Sequence, residues 1–281
     1  MIRTKPSFIF FTIVITAILY SLGIGITRYI GSPINWQRAI LGQVWIVSFQ
    51  IGTIFLKRWI NFQQVGQKQR NENGSIIGIA FIALTIAASV SIFLIKNSGY
   101  VLLPISMIIA VIGAILYVAP IPILREGGYG ELIEAIFVSS LVPFFSFILQ
   151  TERFHRFVIL STFPFILIYL ALCISVELPQ YRLDGFETQT LISKMGWDYG
   201  IKTHNLLLLT AFTLFGVGIQ FGLPFIITLP VFLTLPLVGY QIWQMISISN
   251  GKKPNWQMLT FFALVLYGLP AYLLTFGYWI K

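Results

Sequence analysis

Residues Phe157–Val176 read FVILSTFPFILIYLALCISV, a run of twenty residues without a single charged side chain. A helix of about 20 apolar residues spans the hydrocarbon core of a bilayer, where a charged side chain is costly. The run therefore predicts a transmembrane helix. The same pattern recurs along the chain, so stretches of this kind decide the class of the protein.

Eight further apolar stretches have the length of a membrane span. They are Ser7–Ile26, Ala39–Leu56, Ile76–Ile95, Tyr100–Ala119, Glu131–Gln150, Asn205–Leu223, Phe225–Ile246 and Trp256–Ile280. The composition agrees, because only 10% of residues are charged and the mean hydropathy is +0.86, whereas soluble domains carry about 25% charged residues. The expected fold is all-α: one polytopic membrane domain over residues 1–281 with about nine transmembrane helices.

Lysine and arginine indicate the orientation of these helices. With the N-terminus in the cytoplasm, twelve of the eighteen basic residues fall in inside segments. The outside set is Arg28, Arg38, Lys96, Arg153, Arg156 and Lys281. The positive-inside rule thus predicts an internal N-terminus and an external C-terminus. We expect an integral protein of the plasma membrane, which in a bacterium is the inner membrane.

The net charge of +9 narrows the possible partners, and the single cysteine narrows the possible disulfides and metal sites. In a membrane chain, basic residues face the cytoplasm and anionic lipid head groups, so the charge predicts membrane lipids and no nucleic acid as partners. Cys173 alone excludes a disulfide framework and a cysteine zinc site. His155 and His204 are expected in loops on opposite sides of the membrane, where they cannot form a metal pair.

Three polar segments fall on the side predicted to be cytoplasmic. They are Lys57–Ser75 after the second span, Pro120–Gly130 after the fourth and Glu177–His204 after the sixth. Loops on one face can cap a cavity between helices. We therefore expect a polar site on this face, with a cavity between the second, fourth and sixth helices.

The first segment begins with Lys57 and Arg58, and Asn61 follows on the same helix face as Lys57. These cations either extend towards the head groups as basic side chains at a helix end do, or form a mouth that binds phosphate without a metal. Directly after the second segment, Glu131 and Glu134 lie near the start of the fifth helix. The helix dipole explains Glu131, while the deeper Glu134 requires a partner, for which Arg125 is nearest in sequence.

The third segment, ELPQYRLD, covers Glu177–Asp184. Glu177, Tyr181 and Asp184 share one helix face if the sixth helix continues past Pro179, because they are four and three residues apart. The alternative for Asp184 is a solvated carboxylate in a loop.

The order of these segments resembles the UbiA superfamily of intramembrane polyprenyl transferases, nearest to the type that prenylates dihydroxynaphthoate in menaquinone synthesis. The similar stretches are QIGT at Gln50–Thr53, GYGEL at Gly128–Leu132 and ELPQYRLD at Glu177–Asp184, with Thr190 and Leu191 behind it. The resemblance implies nine helices around a lipid-open cavity. It also implies two aspartate-rich motifs after the second and sixth helices, on the cytoplasmic side.

The chain departs from the family where magnesium would bind. The first family motif reads Asn-Asp-x-x-Asp, and Lys57, Arg58 and Asn61 stand in those positions. In the second motif Gln180 replaces the first aspartate, and Asp184 remains. Magnesium prefers carboxylates and water, and a cation at about 4 Å opposes each unit of its charge by about 4 kcal/mol at an effective dielectric of about 20. Asp184 with Glu177 would offer one weak site at most, so no cofactor is expected unless prenyl transfer, and with it Mg²⁺, is retained.

The sequence leaves three functions open. The favoured one is a pseudoenzyme that binds a quinone, an isoprenoid, a pigment or a phospholipid, alone or with other membrane subunits. Its candidate head-group site comprises Lys57, Arg58, Asn61, Arg125, Glu177, Gln180, Tyr181 and Asp184. The second is a polyprenyl transferase in which lysine and arginine replace the metals. The third is a transporter, although no clear internal repeat is visible and the prolines at 224, 230 and 236 are more simply explained by a kinked helix.

Overall fold

The computed structural model of the protein describes residues 6–64, 70–98, 101–119, 129–184 and 190–281, and this part of the chain contains no strand. Its helices in chain order are α1 (Pro6–Tyr29), α2 (Trp36–Gln64), α3 (Arg70–Ser98), α4 (Leu102–Val118), α5 (Tyr129–Ile136), α6 (Val142–Thr151), α7 (Arg156–Asp184), α8 (Leu191–Met195), α9 (Trp197–Gln220), α10 (Phe225–Phe232), α11 (Leu235–Ser249) and α12 (Trp256–Ile280). A π-helical turn, Phe137–Leu141, joins α5 to α6. The all-α prediction is confirmed.

Eight spans of the described chain are long and apolar enough to cross a membrane. Two of these spans are built from consecutive helices, α5 with α6 and α10 with α11. The remaining predicted span corresponds to α4, which has 17 residues and therefore lies at the lower end of the range for spanning helices. The molecule is thus a polytopic membrane bundle.

Helices α2, α3 and α7 extend beyond the hydrophobic stretches that predict them. Each has 29 residues, or about 44 Å at 1.5 Å per residue, which matches a bilayer with its head-group layers rather than the hydrocarbon core alone. Two predicted loops are therefore largely helical. Lys57 continues α2, and Glu177 continues α7 through Pro179 to Asp184. The expectation that Glu177, Tyr181 and Asp184 share a helix is confirmed.

His204 corrects another expectation. It lies inside α9 rather than in an interfacial loop, and only 1% of its surface is exposed. Its Nδ1 lies 2.9 Å from Oδ1 of the adjacent Asn205. The hydropathy pattern placed the start of this helix too late, because the residues of its first turns are polar.

The interior consists of interlocking aromatic and small side chains. Trp45 of α2 stacks on Phe49 and on Phe145 of α6, with ring centroids 5.2 and 4.6 Å apart. The hydroxyl of Tyr20 on α1 donates to the carbonyl of Ala39 on α2 over 2.8 Å. Ser146 donates to the carbonyl of Tyr20 over 2.7 Å, so α1 is tied to both α2 and α6. Close approach of this kind is typical of membrane bundles, whose helices associate by packing and hydrogen bonds.

The eighth predicted span is interrupted where its prolines predict. It consists of α10 and α11, which are separated at Leu233 and Thr234. Pro230 lies inside α10, and Pro236 lies in the first turn of α11, where its missing N–H is tolerated.

Candidate functional site

A pocket lies between α2, α4 and α5, near the end of the bundle at which α2 and α4 finish and α5 begins. We call this the Lys57 end. The lining consists of Phe49, Gln50, Thr53, Ile54, Gly113, Ala114, Tyr117, Ile133, Glu134, Phe137 and Val138. The empty space is about 390 Å³ when counted out to the open side of the pocket. The lining thus involves the fifth predicted span, which begins with α5, whereas the sequence led us to expect the sixth predicted span, which is α7.

Two local features create this space. Gly113 carries no side chain, and no described atom lies within 4 Å of the position that a Cβ would occupy. The π-helical turn adds a residue to the α5–α6 span, and its first two residues, Phe137 and Val138, line the pocket. Turns of this type are often found at functional sites. The ring of Phe137 also contacts Phe49 at 5.9 Å, which closes the wall towards Trp45.

The lining is apolar except for a few groups, of which Gln50 is the most deeply buried. Only 3% of Gln50 is exposed, and its side-chain oxygen Oε1 has no hydrogen-bond partner among the described residues. A buried acceptor without a donor costs about 1–3 kcal/mol. Thr53 does not relieve it, because the Thr53 hydroxyl donates to the backbone carbonyl of Gln50 over 2.9 Å. This oxygen is therefore available to a donor that enters the pocket.

Lys57 covers the end of the pocket. Its Nζ lies 3.4 Å from the centroid of the Tyr117 ring, and Tyr117 is part of the lining. The same nitrogen lies 3.6 Å from the position that a Cβ on Gly130 would take. The ammonium is thus directed into the bundle, towards α4 and α5, about two turns along α2 from Gln50. This geometry connects the first and second polar segments of the sequence.

The third polar segment makes different contacts. Glu177 is buried on α7, and Gln180 is half-buried. The Tyr181 ring stacks on Trp197 of α9 with centroids 6.3 Å apart. The short helix α8 connects this region with the start of α5, because Nζ of Lys194 lies 5.7 Å from the centroid of the Tyr129 ring.

The structure describes the remaining predicted site residues to different extents. Arg58 is half-buried on α2. The backbones of Asn61 and Asp184 belong to α2 and α7, but their side chains lie outside the described residues, as does the whole of Arg125. Glu131 is buried in the first turn of α5, where the helix dipole favours a carboxylate, and Glu134 lines the pocket.

The described residues contain no group of three histidine, cysteine, aspartate or glutamate side chains that could hold a metal ion. His155 lies in the connection before α7, and its Nδ1 accepts the backbone N–H of Phe157 over 3.2 Å. The neutral ring therefore carries its proton on Nε2. Burial, together with the neighbouring Arg156 guanidinium, lowers the pKa of His155 below its usual range and favours this neutral form.

The sequence analysis missed Gly113 and the π-helical turn. Gly113 had a visible signal, since it is the only glycine in the apolar run of α4. Gln50 and Glu134 were singled out in the sequence, the first in the QIGT stretch and the second near the start of the fifth helix, although only the structure shows that they line one pocket together with Tyr117.

Comparison with families and curated proteins gives no match that would identify the function of this site. No protein-family model matches the chain, and no curated protein matches it significantly. The resemblance to the UbiA superfamily thus depends on the motifs quoted above. The structure itself establishes an all-α membrane bundle with an apolar pocket that is lined in part by the buried Gln50.

Proposed function

We propose that this chain is a UbiA-like membrane protein that binds the head of a membrane-dissolved lipophile, a quinone or an isoprenoid foremost, in the pocket between α2, α4 and α5. One observation supports this most strongly: an apolar pocket is lined in part by Gln50, whose buried side-chain oxygen has no hydrogen-bond partner among the described residues. Apolar pockets with a few convergent polar groups are the usual form of small-molecule sites.

The size of the pocket limits what it holds. Because the space of about 390 Å³ includes the open side of the pocket, the pocket encloses no more than the head of such a molecule, and a long tail must leave through the opening. Residues next to the lining on α4 and α5 are exposed and apolar, namely Ile112, Leu116, Leu132 and Ile136. In a bilayer such a surface faces hydrocarbon, so the tail would continue into the lipid.

Quinone quenching of tryptophan fluorescence tests this proposal. Trp45 stacks on Phe49, which lines the pocket, so a quinone ring bound there lies close to the Trp45 indole. We expect a decyl-substituted naphthoquinone to quench the fluorescence of the purified protein saturably, and most of this quenching to be lost in Trp45→Phe. The matched control Trp243→Phe, at an exposed position on α11, should retain it. Non-saturable quenching that is equal in all three proteins would contradict the proposal.

Magnesium should have no effect on this chain. Lys57 stands in the sequence position where the resembled family has a metal-binding motif, and a cation there would repel Mg²⁺. We expect the purified protein to transfer no prenyl group from farnesyl diphosphate to dihydroxynaphthoate, with or without Mg²⁺. Robust transfer that requires Mg²⁺ and is abolished by EDTA would refute this expectation.

Transfer that persists in EDTA would instead support the second candidate, an enzyme that uses cations to stabilise the diphosphate. Lys57 at the end of the pocket is the observation that favours it, since a preorganised cation can stabilise a departing anion. In that case Lys57→Ala should abolish turnover, whereas Lys252→Ala in the loop after α11 should not.

A further inference from the structure

The end of the bundle opposite Lys57 carries an uneven distribution of charge. At this end, which we call the Arg28 end, α1 finishes, α2 begins, α6 finishes and α7 begins. Its basic residues are Arg28, Arg38, Lys96, Arg153, Arg156 and Lys281, and its single acidic residue is Glu152. Of the other eight acidic residues of the chain, six belong to described helices, and all six lie in helix turns at the Lys57 end.

The single acid at the Arg28 end is already neutralised. Nη1 of Arg38 lies 3.0 Å from Oε1 of Glu152, and Nη2 of Arg38 donates to the carbonyl of Asn97 over 3.1 Å. Arg28, Lys96, Arg153 and Arg156 form no ion pair with any described residue. All four are exposed. This face therefore presents at least four uncompensated positive charges.

Two of these arginines rest on aromatic rings. The Arg28 guanidinium carbon lies 5.7 Å from the centroid of the Trp279 ring, and Trp279 stacks on the exposed Trp36 at 6.1 Å. The Arg156 guanidinium carbon lies 5.7 Å from the centroid of the Phe157 ring. A guanidinium that stacks with its flat face on a ring keeps the N–H groups at its edge available. Its side chain also loses less conformational entropy when it binds an anion.

Arg156 has a second fixed contact. Its Nη2 lies 3.1 Å from the position that a Cβ on Gly222 would occupy, so the guanidinium packs on the backbone of the turn between α9 and α10. Gly222 has a φ of +103°, a conformation that glycine adopts readily. An aromatic contact joins the surroundings of the two arginines, because the rings of Tyr29 and Phe157 are 6.0 Å apart.

We infer that the Arg28 end binds the phosphate groups of anionic phospholipids, with Arg28 and Arg156 as the principal contacts. Arginine matches phosphate with two parallel hydrogen bonds, which a lysine cannot provide. The cations are interspersed with exposed apolar side chains, including Phe154, Phe221 and Ile280. Such a mixture fits a lipid, which supplies an anion next to hydrocarbon, better than it fits an acidic protein.

This site is separate from the pocket of the proposed function. It lies at the opposite end of the bundle, and it requires neither quinone binding nor a particular orientation in the membrane. The phospholipid would act as a bound annular lipid that stabilises the junction of α1, α7 and α12.

The test measures lipid binding to the full-length protein in neutral detergent. Phosphatidylglycerol and phosphatidylcholine of identical acyl chains are titrated, and the bound lipids are counted by native mass spectrometry. We expect the wild type to prefer phosphatidylglycerol. Each of Arg28→Gln and Arg156→Gln should weaken that binding about fivefold, and the double variant about 25-fold, since one basic residue near an anionic lipid contributes about a factor of five.

Two control proteins make the result decisive. The double variant Arg38→Gln with Glu152→Gln removes a pair of opposite charges at the same end, so its net charge and its preference for phosphatidylglycerol should not change. Arg28→Lys with Arg156→Lys keeps the charge and should recover only part of the affinity. Thermal unfolding in detergent without added lipid verifies that each variant is folded.

Two outcomes would overturn the inference. One is a wild type that binds phosphatidylglycerol no better than phosphatidylcholine, which would leave an acidic protein as the partner of this face. The other is a double glutamine variant that retains the wild-type affinity for phosphatidylglycerol.

Discussion

Gly23→Ala should destabilise the bundle by about 3 kcal/mol, the upper range of the usual cost of overpacking. A Cβ at Gly23 would overlap Oγ of Ser146 and the backbone carbonyl of Pro143. The backbone of α6 cannot move aside as a flexible side chain can. Ser146 is also held, because its hydroxyl oxygen lies 2.7 and 3.0 Å from the carbonyl oxygens of Tyr20 and Pro143, which share its single hydrogen. The alanine therefore has to separate α1 from α6.

Thermal unfolding in detergent, followed by size-exclusion chromatography, measures this effect. Gly78→Ala is the matched control, because no described atom lies within 4 Å of the Cβ position at Gly78 on α3. Alanine is favoured over glycine inside a helix by up to about 1 kcal/mol, so this control should be as stable as the wild type or more so. A Gly23→Ala protein with an unchanged unfolding temperature would show that α1 and α6 do not approach as closely as described.

The membrane spans could be predicted from the sequence because hydrocarbon imposes a simple rule. An apolar run such as Phe157–Val176 has to be helical and has to cross, since every backbone polar group needs a partner within the span. The ends of the helices follow no such rule. In the head-group layers, polar residues such as Lys57 and Glu177 satisfy the backbone of a helix as readily as that of a loop, and the helices therefore end later than hydropathy indicates.

The pocket was only partly predictable for a related reason. Lys57, Gln50 and Glu134 stood out because a polar side chain in or near a span is costly and requires a partner. The empty space beside Gly113 depends on which atoms of other helices fail to reach it. The π-helical turn depends on one residue of altered winding in an otherwise ordinary apolar segment, FVSSL. Gly113 itself is visible as the only glycine in the apolar run of α4, but one sequence reveals neither the space beside it nor the π-helical turn, so the fifth helix was not expected in the lining.

Gly113→Phe should abolish quinone binding while leaving the bundle folded. A side chain at this position extends into space that contains no described atom within 4 Å of the Cβ, and this space belongs to the pocket. The α4 helix should not suffer, because phenylalanine has a better helix propensity than glycine. The phenyl ring would occupy the volume that a quinone ring requires, so the saturable quenching of Trp45 should be lost, with affinity reduced at least about tenfold, or about 1.4 kcal/mol.

The series Gly113→Ala, Gly113→Leu and Gly113→Phe grades this effect by size. Alanine should weaken binding little, leucine more, and phenylalanine most, because each fills a larger part of a fixed volume. Gly239→Phe supplies the control, since its Cβ position on α11 is equally open but lies outside the pocket lining. If the ligand instead binds at another site, all four variants should retain the wild-type dissociation constant. A dissociation constant that rises with side-chain volume at position 113 alone would locate the ligand between α2, α4 and α5.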